Sequence, residues 1–220
     1  MIDQFEIDST ATENTKRIND FILQSGVDLY GIANLRNYKE RSESLRSVQD
    51  LILNRYHFGI VLGIPQNHAG KRLNDMEASL ILEEAAFGVM VYLNDVEKHS
   101  ALIIHTDDEI EPFERLGLLS LKSLARAAGL GWQGRSSLII SPEYGPLYRI
   151  IAILTDLQLV ENDLILNQCG KCSLCVVKCP TNALILSKNT NYYENREDVL
   201  DIDKCKGGEG CKICIDVCPW

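Results

Sequence analysis

Long apolar runs are missing from this 220-residue sequence. A membrane-spanning helix needs about 20 consecutive apolar residues, and no stretch approaches that length. The opening residues, MIDQFEIDSTATEN, are acidic and polar, unlike the basic and apolar start of a secretory signal peptide. We therefore expect a cytoplasmic protein with no membrane partner.

Basic charge is also scarce. The chain has 22 Lys and Arg against 31 Asp and Glu, and basic residues adjoin only in isolated pairs such as Lys16-Arg17 and Lys71-Arg72. Proteins that bind nucleic acid tightly usually carry a basic stripe, so this balance disfavours nucleic acid as a partner. The composition, 45% hydrophobic and 24% charged, is that of an ordinary globular protein of one or two domains.

Cysteine is absent from residues 1–168, and all eight cysteines then fall into two runs. The first run, CGKCSLCVVKCP (169–180), has the spacing C-x2-C-x2-C-x3-C-P, which bacterial-type ferredoxins use for iron–sulfur clusters. The second, CKGGEGCKICIDVCP (205–219), differs only by a five-residue first gap. Three glycines in that gap let the backbone loop tightly past a cluster.

Thiolates suit both zinc and iron–sulfur clusters, so two types of site remain open. Four-cysteine zinc sites usually come as separated pairs, whereas three cysteines at consecutive two-residue gaps favour clusters. A disulfide framework is disfavoured because nothing indicates an oxidising compartment. In two-cluster ferredoxins the proline-linked fourth cysteine ligates the other cluster. We therefore predict two 4Fe-4S clusters, one held by Cys169, Cys172, Cys175 and Cys218 and the other by Cys205, Cys211, Cys214 and Cys179.

Helical and extended patterns alternate before the cysteine region. Apolar periodicity predicts helices over residues 14–25, 74–99 (with Gly88 as a candidate break) and 118–128. Extended patterns predict strands over 27–35, 57–66 and 101–106, and a pair over 136–142 and 148–156 joined by the turn EYGP. The predicted fold is α+β or α/β, with a mixed-sheet domain over residues 1–160 and a ferredoxin-like domain over 161–220.

The segment GLGWQGRSS (129–137) is rich in glycine and lies between a predicted helix and a predicted strand. One interpretation is a tight turn in which Gly129 ends the helix. The other is a cofactor site, because glycines permit close backbone approach, Trp132 offers an apolar wall, and an arginine with two hydroxyls can bind amides or phosphate. The candidate residues are Gly129, Gly131, Trp132, Gly134, Arg135, Ser136 and Ser137.

The stretch AGLGWQGRSSLIISPEYGPLYRIIAILTDLQL (128–159), followed by CGKCSLCVVKCPTNAL, resembles the epoxyqueuosine reductase family. Members carry AGLGWxGKxxLLIxPEYG before their ferredoxin-like cysteines; the resemblance is close over 124–220 and general over 1–123. It implies an N-terminal flavin-reductase-like domain that holds a cobalamin and a ferredoxin-like part that supplies electrons. Reductive dehalogenases share this plan. By this resemblance the loop residues 129–137 would line the corrinoid, with flavin as the alternative cofactor.

The sequence departs from the family at the substrate end. The family's acidic residue, taken as its proton donor, corresponds to a position near Arg115, and the acids at 107–109 follow Thr106 as in a helix capping box. We therefore assign no catalytic residue. Longer members continue into a helical-repeat extension that engages tRNA, whereas this sequence ends two residues after Cys218. On this basis we expect a short relative that keeps the electron-transfer core and whose substrate end is different or unknown.

Two further features leave alternatives open. His57, His68, His99 and His105 have no ligand spacing with one another, so we expect surface or core roles, with a lower corrinoid ligand as the alternative. Arg149 interrupts an apolar strand and would need a partner if buried. It would face either a cofactor phosphate or an exposed edge.

These features predict an iron–sulfur oxidoreductase. It would pass single electrons through two 4Fe-4S clusters to a corrinoid in the N-terminal domain, for reduction of an unidentified substrate. The alternatives are an electron-transfer module that reduces a partner corrinoid or flavin protein, and a flavin reductase. Expected partners are a donor such as reduced ferredoxin or flavodoxin, and a small-molecule substrate or a partner redox protein.

Overall fold

The structure is a computed structural model that describes residues 4–38, 45–105, 117–186 and 196–220. The α-helices are α1 (Gln4–Ile22), α2 (Arg46–Arg55), α3 (Asp75–Val91), α4 (Leu121–Ala127), α5 (Leu174–Val177) and α6 (Ile213–Asp216). The strands are β1 (Leu29–Asn34), β2 (Phe58–Pro65), β3 (Asn67–His68), β4 (Lys71–Arg72), β5 (Ala101–Ile104), β6 (Trp132–Gln133), β7 (Ile139–Ser141) and β8 (Gly145–Thr155). A π-helix (Tyr92–Val96) continues α3, and short 3-10 turns occur at Leu35–Asn37, Arg196–Asp198 and Gly207–Glu209.

The main sheet has the order β1-β2-β8-β7-β6, and β5 also pairs with β8. Every strand pairing within the described residues is antiparallel. The expected mixed sheet is therefore corrected to an antiparallel sheet in a mixed α and β fold. The physical reason is the strand order, because β8 lies between β2 and β5 and runs antiparallel to both.

Helices cover both faces of this sheet because alternate strand residues point to opposite sides. All eight residues of β2 are buried. Ile60 and Leu62 pack with α1 and α3, whereas Val61 between them packs with α4. The apolar run at 57–66 thus forms a strand that is buried on both faces.

Most of the predicted elements are present, with changed ends. The strands expected at 27–35, 57–66 and 101–106 are β1, β2 and β5, and the pair at 136–142 and 148–156 is β7 and β8. The helix expected at 14–25 begins at Gln4, and the one expected at 118–128 is α4. The predicted helices did not include α2, and the short β3–β4 hairpin was also not predicted.

The long helix expected at 74–99 begins as the sequence suggests but does not break at Gly88. The Asn74 side chain accepts the Glu77 backbone N–H, and the Glu77 carboxylate accepts the Asn74 N–H, both at 3.0 Å. This capping box fixes the start of α3. The helix continues through Gly88, which lies beneath the ring of Phe21 on α1, and changes only at Tyr92, where the π-helix begins.

An extended segment carries the chain from the sheet to the cysteine region. Leu157 and Leu159 remain in the core beside α1 and α3. Asn162 then bonds the edge of β1, donating its N–H to the Ile32 carbonyl at 3.0 Å and accepting the Ile32 N–H at 2.8 Å. The domain boundary at 160 remains a prediction. Among the described residues, no helix has both the length and the apolarity to cross a membrane.

Candidate metal centre

The two cysteine runs fold in the same way. Cys175 is the second residue of α5, and Cys179 follows two residues after that helix ends. Cys214 and Cys218 hold the same positions relative to α6. The two short helices contact each other, so the spacing repeat in the sequence is also a structural repeat.

A small apolar cluster lies under both helices. Ala183, Leu184, Val199 and Leu200 are its buried residues, and cysteines of both runs pack against it. Leu184 and Leu200 also form an antiparallel bridge. These contacts bring the two runs together although the sequence separates them by 25 residues.

A cleft of about 340 Å³, including the part open to solvent, lies beside the first run. Its lining contains the four cysteines predicted to hold one cluster: Cys169, Cys172, Cys175 and Cys218. Three of these belong to the first run, and Cys218 comes from the second. Gly134, Arg135 and Ser136 of the glycine-rich loop line the same cleft.

The other four cysteines form a second group. The Cys214 thiol lies near enough to Cys205, Cys211 and Cys179 for their charges to raise its pKa, whereas the Cys218 pKa is raised by Cys169 and Cys172. Burial is the larger cause in both cases. Cys214 also contributes to the raised pKa of Cys175, so the two groups of thiols lie close to each other. Ligation by the two predicted sets remains a prediction.

The protonation of these thiols depends on their surroundings. Burial, with a smaller contribution from neighbouring thiols, raises the pKa of Cys175 and of Cys214 to about 11. Burial acts in the same direction at Cys179, but backbone N–H groups of Leu184, Thr181 and Ala183 bring its pKa below the ordinary value. Buried thiols that lie close together favour the neutral form unless a cationic metal group offsets their charge, and metal binding deprotonates them.

The arrangement of these thiols differs from that of a site for a single metal ion. Within residues 4–38, 45–105, 117–186 and 196–220, no group of three or more His, Cys, Asp and Glu side chains could hold a single metal ion. A 4Fe-4S cluster is larger than an ion, and its cysteines stand further apart. The absence of such a group among the described residues therefore bears on single-ion sites such as zinc sites and not on a cluster.

The glycine-rich loop begins at the end of α4. Gly129 has a φ of +69°, its N–H bonds the Arg126 carbonyl, and the Leu130 N–H bonds the Ala125 carbonyl. These are the two bonds of a Schellman motif, so the prediction that Gly129 ends the helix is confirmed.

Trp132 on β6 reaches from the sheet domain to the first cysteine run. Its side chain is fully buried, and its Nε1–H donates to the Cys169 sulfur at 3.4 Å. The ring meets Trp220 edge to face, with centroids 4.9 Å apart. Asn167 reinforces this contact, because it donates to the Gln133 carbonyl and accepts the Cys169 N–H, both at 2.8 Å.

Arg135 follows in the turn between β6 and β7. It is only 9% exposed, and its Nη2 donates to the Gly170 carbonyl at 2.6 Å. Its Nε is buried and has no hydrogen-bond partner among the described residues. The adjacent Ser136 and Ser137 are also buried, so this turn faces protein on several sides.

The remaining loop glycines have a packing role. A Cβ on Gly131 would lie 2.1 Å from the Ile140 carbonyl oxygen, and one on Gly134 would lie 2.7 Å from the Ile140 side chain. Both glycines therefore allow β7 to approach β6. A contact between this loop and a corrinoid is not tested by these distances and remains a prediction.

The histidines and Arg149 lie apart from the cleft. His68, His99 and His105 pair with carboxylates through Nδ1, at 2.5 Å from Asp28, 3.0 Å from Asp156 and 2.8 Å from Glu83. The His57 backbone N–H donates to the Thr155 carbonyl at 3.1 Å.

Arg149 is mostly buried, with Nη2 3.7 Å from Asp75, which also accepts from Lys212 at 2.9 Å. One partner of Arg149 is thus a carboxylate at the start of α3. Residues 106–116, which contain Arg115 and its neighbouring acids, lie outside the described residues.

Sequence reasoning missed two residues near the cysteines. Lys122 on α4 lies near Cys205 and Cys214, where burial and Arg196 lower its pKa and the two thiols oppose that shift. In the sequence it occupies an ordinary helix position, which gives no signal. The other is Trp220, whose proximity to Trp132 depends on the tertiary fold.

Comparison with known proteins gives relatives for both parts of the chain. Residues 168–220 match the 4Fe-4S dicluster domain family. Epoxyqueuosine reductase of Vibrio cholerae is 35% identical over 121 residues, which is 50% of this chain and 32% of that protein. The same enzyme of a Synechococcus species is 40% identical over 113 residues, 45% of this chain and 35% of that protein. The matches thus span about a third of the length of these relatives.

Solved structures extend the likeness to nearly the whole fold. A crystal structure of epoxyqueuosine reductase with an epoxyqueuosine-modified tRNA stem loop matches 94% of this chain and 65% of that chain, with a TM-score of 0.67 and 16% identity. A catabolic reductive dehalogenase in complex with 3-bromo-4-hydroxybenzoic acid matches 96% of this chain and 32% of that chain, with a TM-score of 0.71 and 18% identity. These identities establish the fold alone. This chain is similar in sequence to epoxyqueuosine reductases over about half its length, carries a 4Fe-4S dicluster domain, and has a fold found in both epoxyqueuosine reductases and reductive dehalogenases.

Proposed function

We propose that this chain is an iron–sulfur oxidoreductase of the epoxyqueuosine reductase type. In this proposal single electrons pass through two 4Fe-4S clusters to a corrinoid in the N-terminal domain. The observation that carries it is the cleft lined by Cys169, Cys172 and Cys175 of the first run together with Cys218 of the second. That is the ligand pattern of two-cluster ferredoxins.

The residues fit such clusters in charge and in shape. When bound, the clusters supply one-electron transfer. Cys169, Cys172, Cys175 and Cys218 line one cleft, and the buried Nε of Arg135 lacks a protein partner among the described residues. A buried donor without a partner is costly, which supports an anionic, sulfur-rich group in that cleft.

The proposal of a bound corrinoid is based on similarity to solved relatives. One neighbour with a TM-score of 0.56 is a reductive dehalogenase whose structure suggests a mechanism for B12-dependent dehalogenation. The loop residues 129–137 stay proposed neighbours of the corrinoid. These residues also contact β7 and the first cysteine run, which is a packing role. Trp132 is fully buried, so it has no open surface toward a cofactor.

A specific observation favours the second candidate, an electron-transfer module without its own organic cofactor. Trp132, expected as an apolar wall for the cofactor, is fully buried against protein. In this alternative the chain reduces a partner corrinoid or flavin protein.

The substrate proposal includes nucleic acid. A solved relative was crystallised with a modified tRNA stem loop, which is at odds with the expectation that acidic composition disfavours nucleic acid. Epoxyqueuosine in tRNA is therefore the first substrate to test, ahead of free small molecules. Reduced ferredoxin or flavodoxin remains the proposed donor.

Metal analysis and cobalamin titration of anaerobically purified protein test the proposal. We expect about eight irons per chain, because each of two cubanes contains four. Added cobalamin should change its absorption spectrum on binding, and flavin mononucleotide provides the comparison. Two zincs with little iron would contradict the iron–sulfur assignment. Full iron content with no spectral response to cobalamin would contradict the bound corrinoid and favour the electron-transfer module.

A further inference from the structure

Two side chains of the sheet domain reach the first cysteine set from the same short loop. Trp132 on β6 donates Nε1–H to the Cys169 sulfur at 3.4 Å and is fully buried. Arg135, three residues later, lines the cleft formed by the four cysteines and is 91% buried. Both belong to the domain that does not contain the cysteines.

The hydrogen bonds of Arg135 leave a donor unused. Its Nη2 bonds the Gly170 carbonyl at 2.6 Å, which holds the guanidinium beside the first cysteine run. Its Nε, also buried, has no partner among the described residues. Buried donors are nearly always paired, so an unpaired one in a cleft lined by cysteines indicates a missing acceptor.

We propose that Trp132 and Arg135 are positioning residues that raise the reduction potential of the cluster held by Cys169, Cys172, Cys175 and Cys218. Trp132 acts by its hydrogen bond to the Cys169 sulfur, and Arg135 acts as a buried cation and donor facing the cluster. This inference rests on the proposed function, in which that cleft holds a 4Fe-4S cluster.

The direction of the effect follows from charge. A four-thiolate cluster is anionic, and reduction adds one more negative charge. Hydrogen bonds to the sulfurs and nearby positive charge stabilise the reduced form more than the oxidised form, which raises the potential. Burial strengthens both interactions because solvent screens them less.

Redox titration followed by electron paramagnetic resonance tests the proposal on the iron-loaded full chain. Trp132→Phe removes the N–H donor and keeps an aromatic ring, and Arg135→Gln removes the charge. Each should make reduction of one cluster about tenfold less favourable, which is about 59 mV for a one-electron couple. The signal whose reduction potential shifts should be the one that Cys169→Ser alters. The reduction potential of the other cluster should stay unchanged.

Two matched controls separate these effects from packing and from charge in general. Leu130→Val alters buried packing in the same loop but removes neither a hydrogen-bond donor nor a residue that lines the cleft. Lys171→Gln removes an exposed charge within the first run, where solvent screens it. Both should leave the two potentials near the wild-type values. Iron-loaded Trp132→Phe and Arg135→Gln with unmoved potentials would overturn the inference.

If the Trp132 and Arg135 variants lose iron, a second measurement tests the hydrogen bond of Trp132 in protein whose loop residues 129–137 are unchanged. The chain has two tryptophans, so ¹⁵N-tryptophan labelling of Trp220→Phe protein marks Trp132 alone. The reduced cluster should show coupling to that one nitrogen, and absence of the coupling would overturn the inference. Wild-type protein without iron would overturn the proposed function and this inference together, whereas full iron with unmoved potentials overturns the inference alone.

Discussion

Gly145, at the start of β8, lies against the far end of the chain. Its φ is +72°, and a Cβ there would lie 2.3 Å from the Trp220 carbonyl oxygen. Two separate effects therefore require glycine here: a left-handed backbone and the close approach of another backbone segment. The turn EYGP, predicted only as a strand connection, also forms a surface on which the final residue packs.

Substitution of Gly145 by alanine should separate these two effects when compared with Gly26→Ala. Gly26 has a similar φ of +79° but nothing within 4 Å of its Cβ position, so its substitution should cost about 1–2 kcal/mol from backbone strain alone. Gly145→Ala should cost roughly 1–3 kcal/mol more, because the added methyl group overpacks against Trp220. Urea unfolding of the iron-loaded proteins measures both free energies. Equal losses would mean that the contact with Trp220 is unimportant for stability.

Glu97 links the end of the π-helix to α1. Arg17 donates to both carboxylate oxygens at 2.8 Å, and the Tyr92 hydroxyl donates at 3.1 Å. The hydrogen bonds from Arg17, followed by that from Tyr92, hold the pKa of Glu97 below its ordinary value against the opposing effect of burial. Because the folded-state pKa is depressed, the stabilisation is present above the unfolded pKa of about 4.3 and is lost as pH falls through the lower folded value.

Glu97→Gln should therefore lower the free energy of unfolding at pH 7 by roughly 1 kcal/mol, as expected for a partly exposed ion pair. The difference from wild type should narrow below about pH 4.3, where the carboxyl group of the unfolded chain is protonated. Unfolding measured at each pH gives the difference between the two free energies of unfolding as a function of pH. Glu209→Gln, which breaks an exposed pair with Lys206, is the control. A difference between Glu97→Gln and wild type that does not vary with pH would rule out the titration of Glu97 as its source.

The matching helices α5 and α6 each present a cysteine inside the helix and another two residues after its end. The short elements set the direction in which each thiol points, and the cleft lining combines Cys218 with the first run. If the ligands cross between runs, losing the fourth cysteine of one run harms the cluster of the other.

Serine substitutions at four positions test the crossed ligation. The electron paramagnetic resonance signal that Cys175→Ser removes identifies the first cluster, and the signal that Cys214→Ser removes identifies the second. Cys179→Ser should then reproduce the loss seen in Cys214→Ser, and Cys218→Ser that seen in Cys175→Ser, because the fourth cysteine ligates the other cluster. If Cys179→Ser instead matched Cys175→Ser, each run would hold its own cluster.

The two parts of the molecule differ greatly in their apolar cores. Among the residues that the structure describes, the sheet is covered on its two faces by clusters of 18 and 15 buried residues, whereas the cysteine region has a cluster of four. Besides the contacts of Trp132 and Arg135 with the first cysteine run, partly exposed ion pairs such as Arg72–Asp216 and Lys212–Asp75 join the parts, and such pairs contribute about 0–1 kcal/mol each. Because its own apolar core is small, we predict that the cysteine region depends on bound metal for folding.

Removal of iron should unfold residues 169–220 and leave the sheet intact. Hydrogen exchange by mass spectrometry should lose protection in peptides from that region, while β1, β2 and β8 keep theirs. A small segment cannot bury enough surface to fold without a metal or similar constraint. Persistent protection of residues 169–220 in iron-free protein would contradict this dependence.

Some features of this protein could be read from the sequence because their causes are local. The repeated cysteine spacing predicted a structural repeat, which α5 and α6 confirm, and the prediction of iron–sulfur clusters agrees with the match to the 4Fe-4S dicluster family. The continuous apolar run at 57–66 identified the buried strand β2, and Gly129 identified the end of α4. The helix α2 was missed because its only buried residue is Gln49, so its apolar side chains do not mark one face.

Other features were decided only by the tertiary structure. The antiparallel sheet depends on β8 lying between β2 and β5, an order that no local pattern encodes. The contact of Trp132 with Cys169 joins residues 37 positions apart, and that of Gly145 with Trp220 joins the sheet to the last residue. The sequence by itself determined the type and spacing of the cysteine ligands, which predict iron–sulfur chemistry. The surroundings of those ligands came from packing between distant segments, because hydrogen bonds and buried charges depend on which groups meet in space.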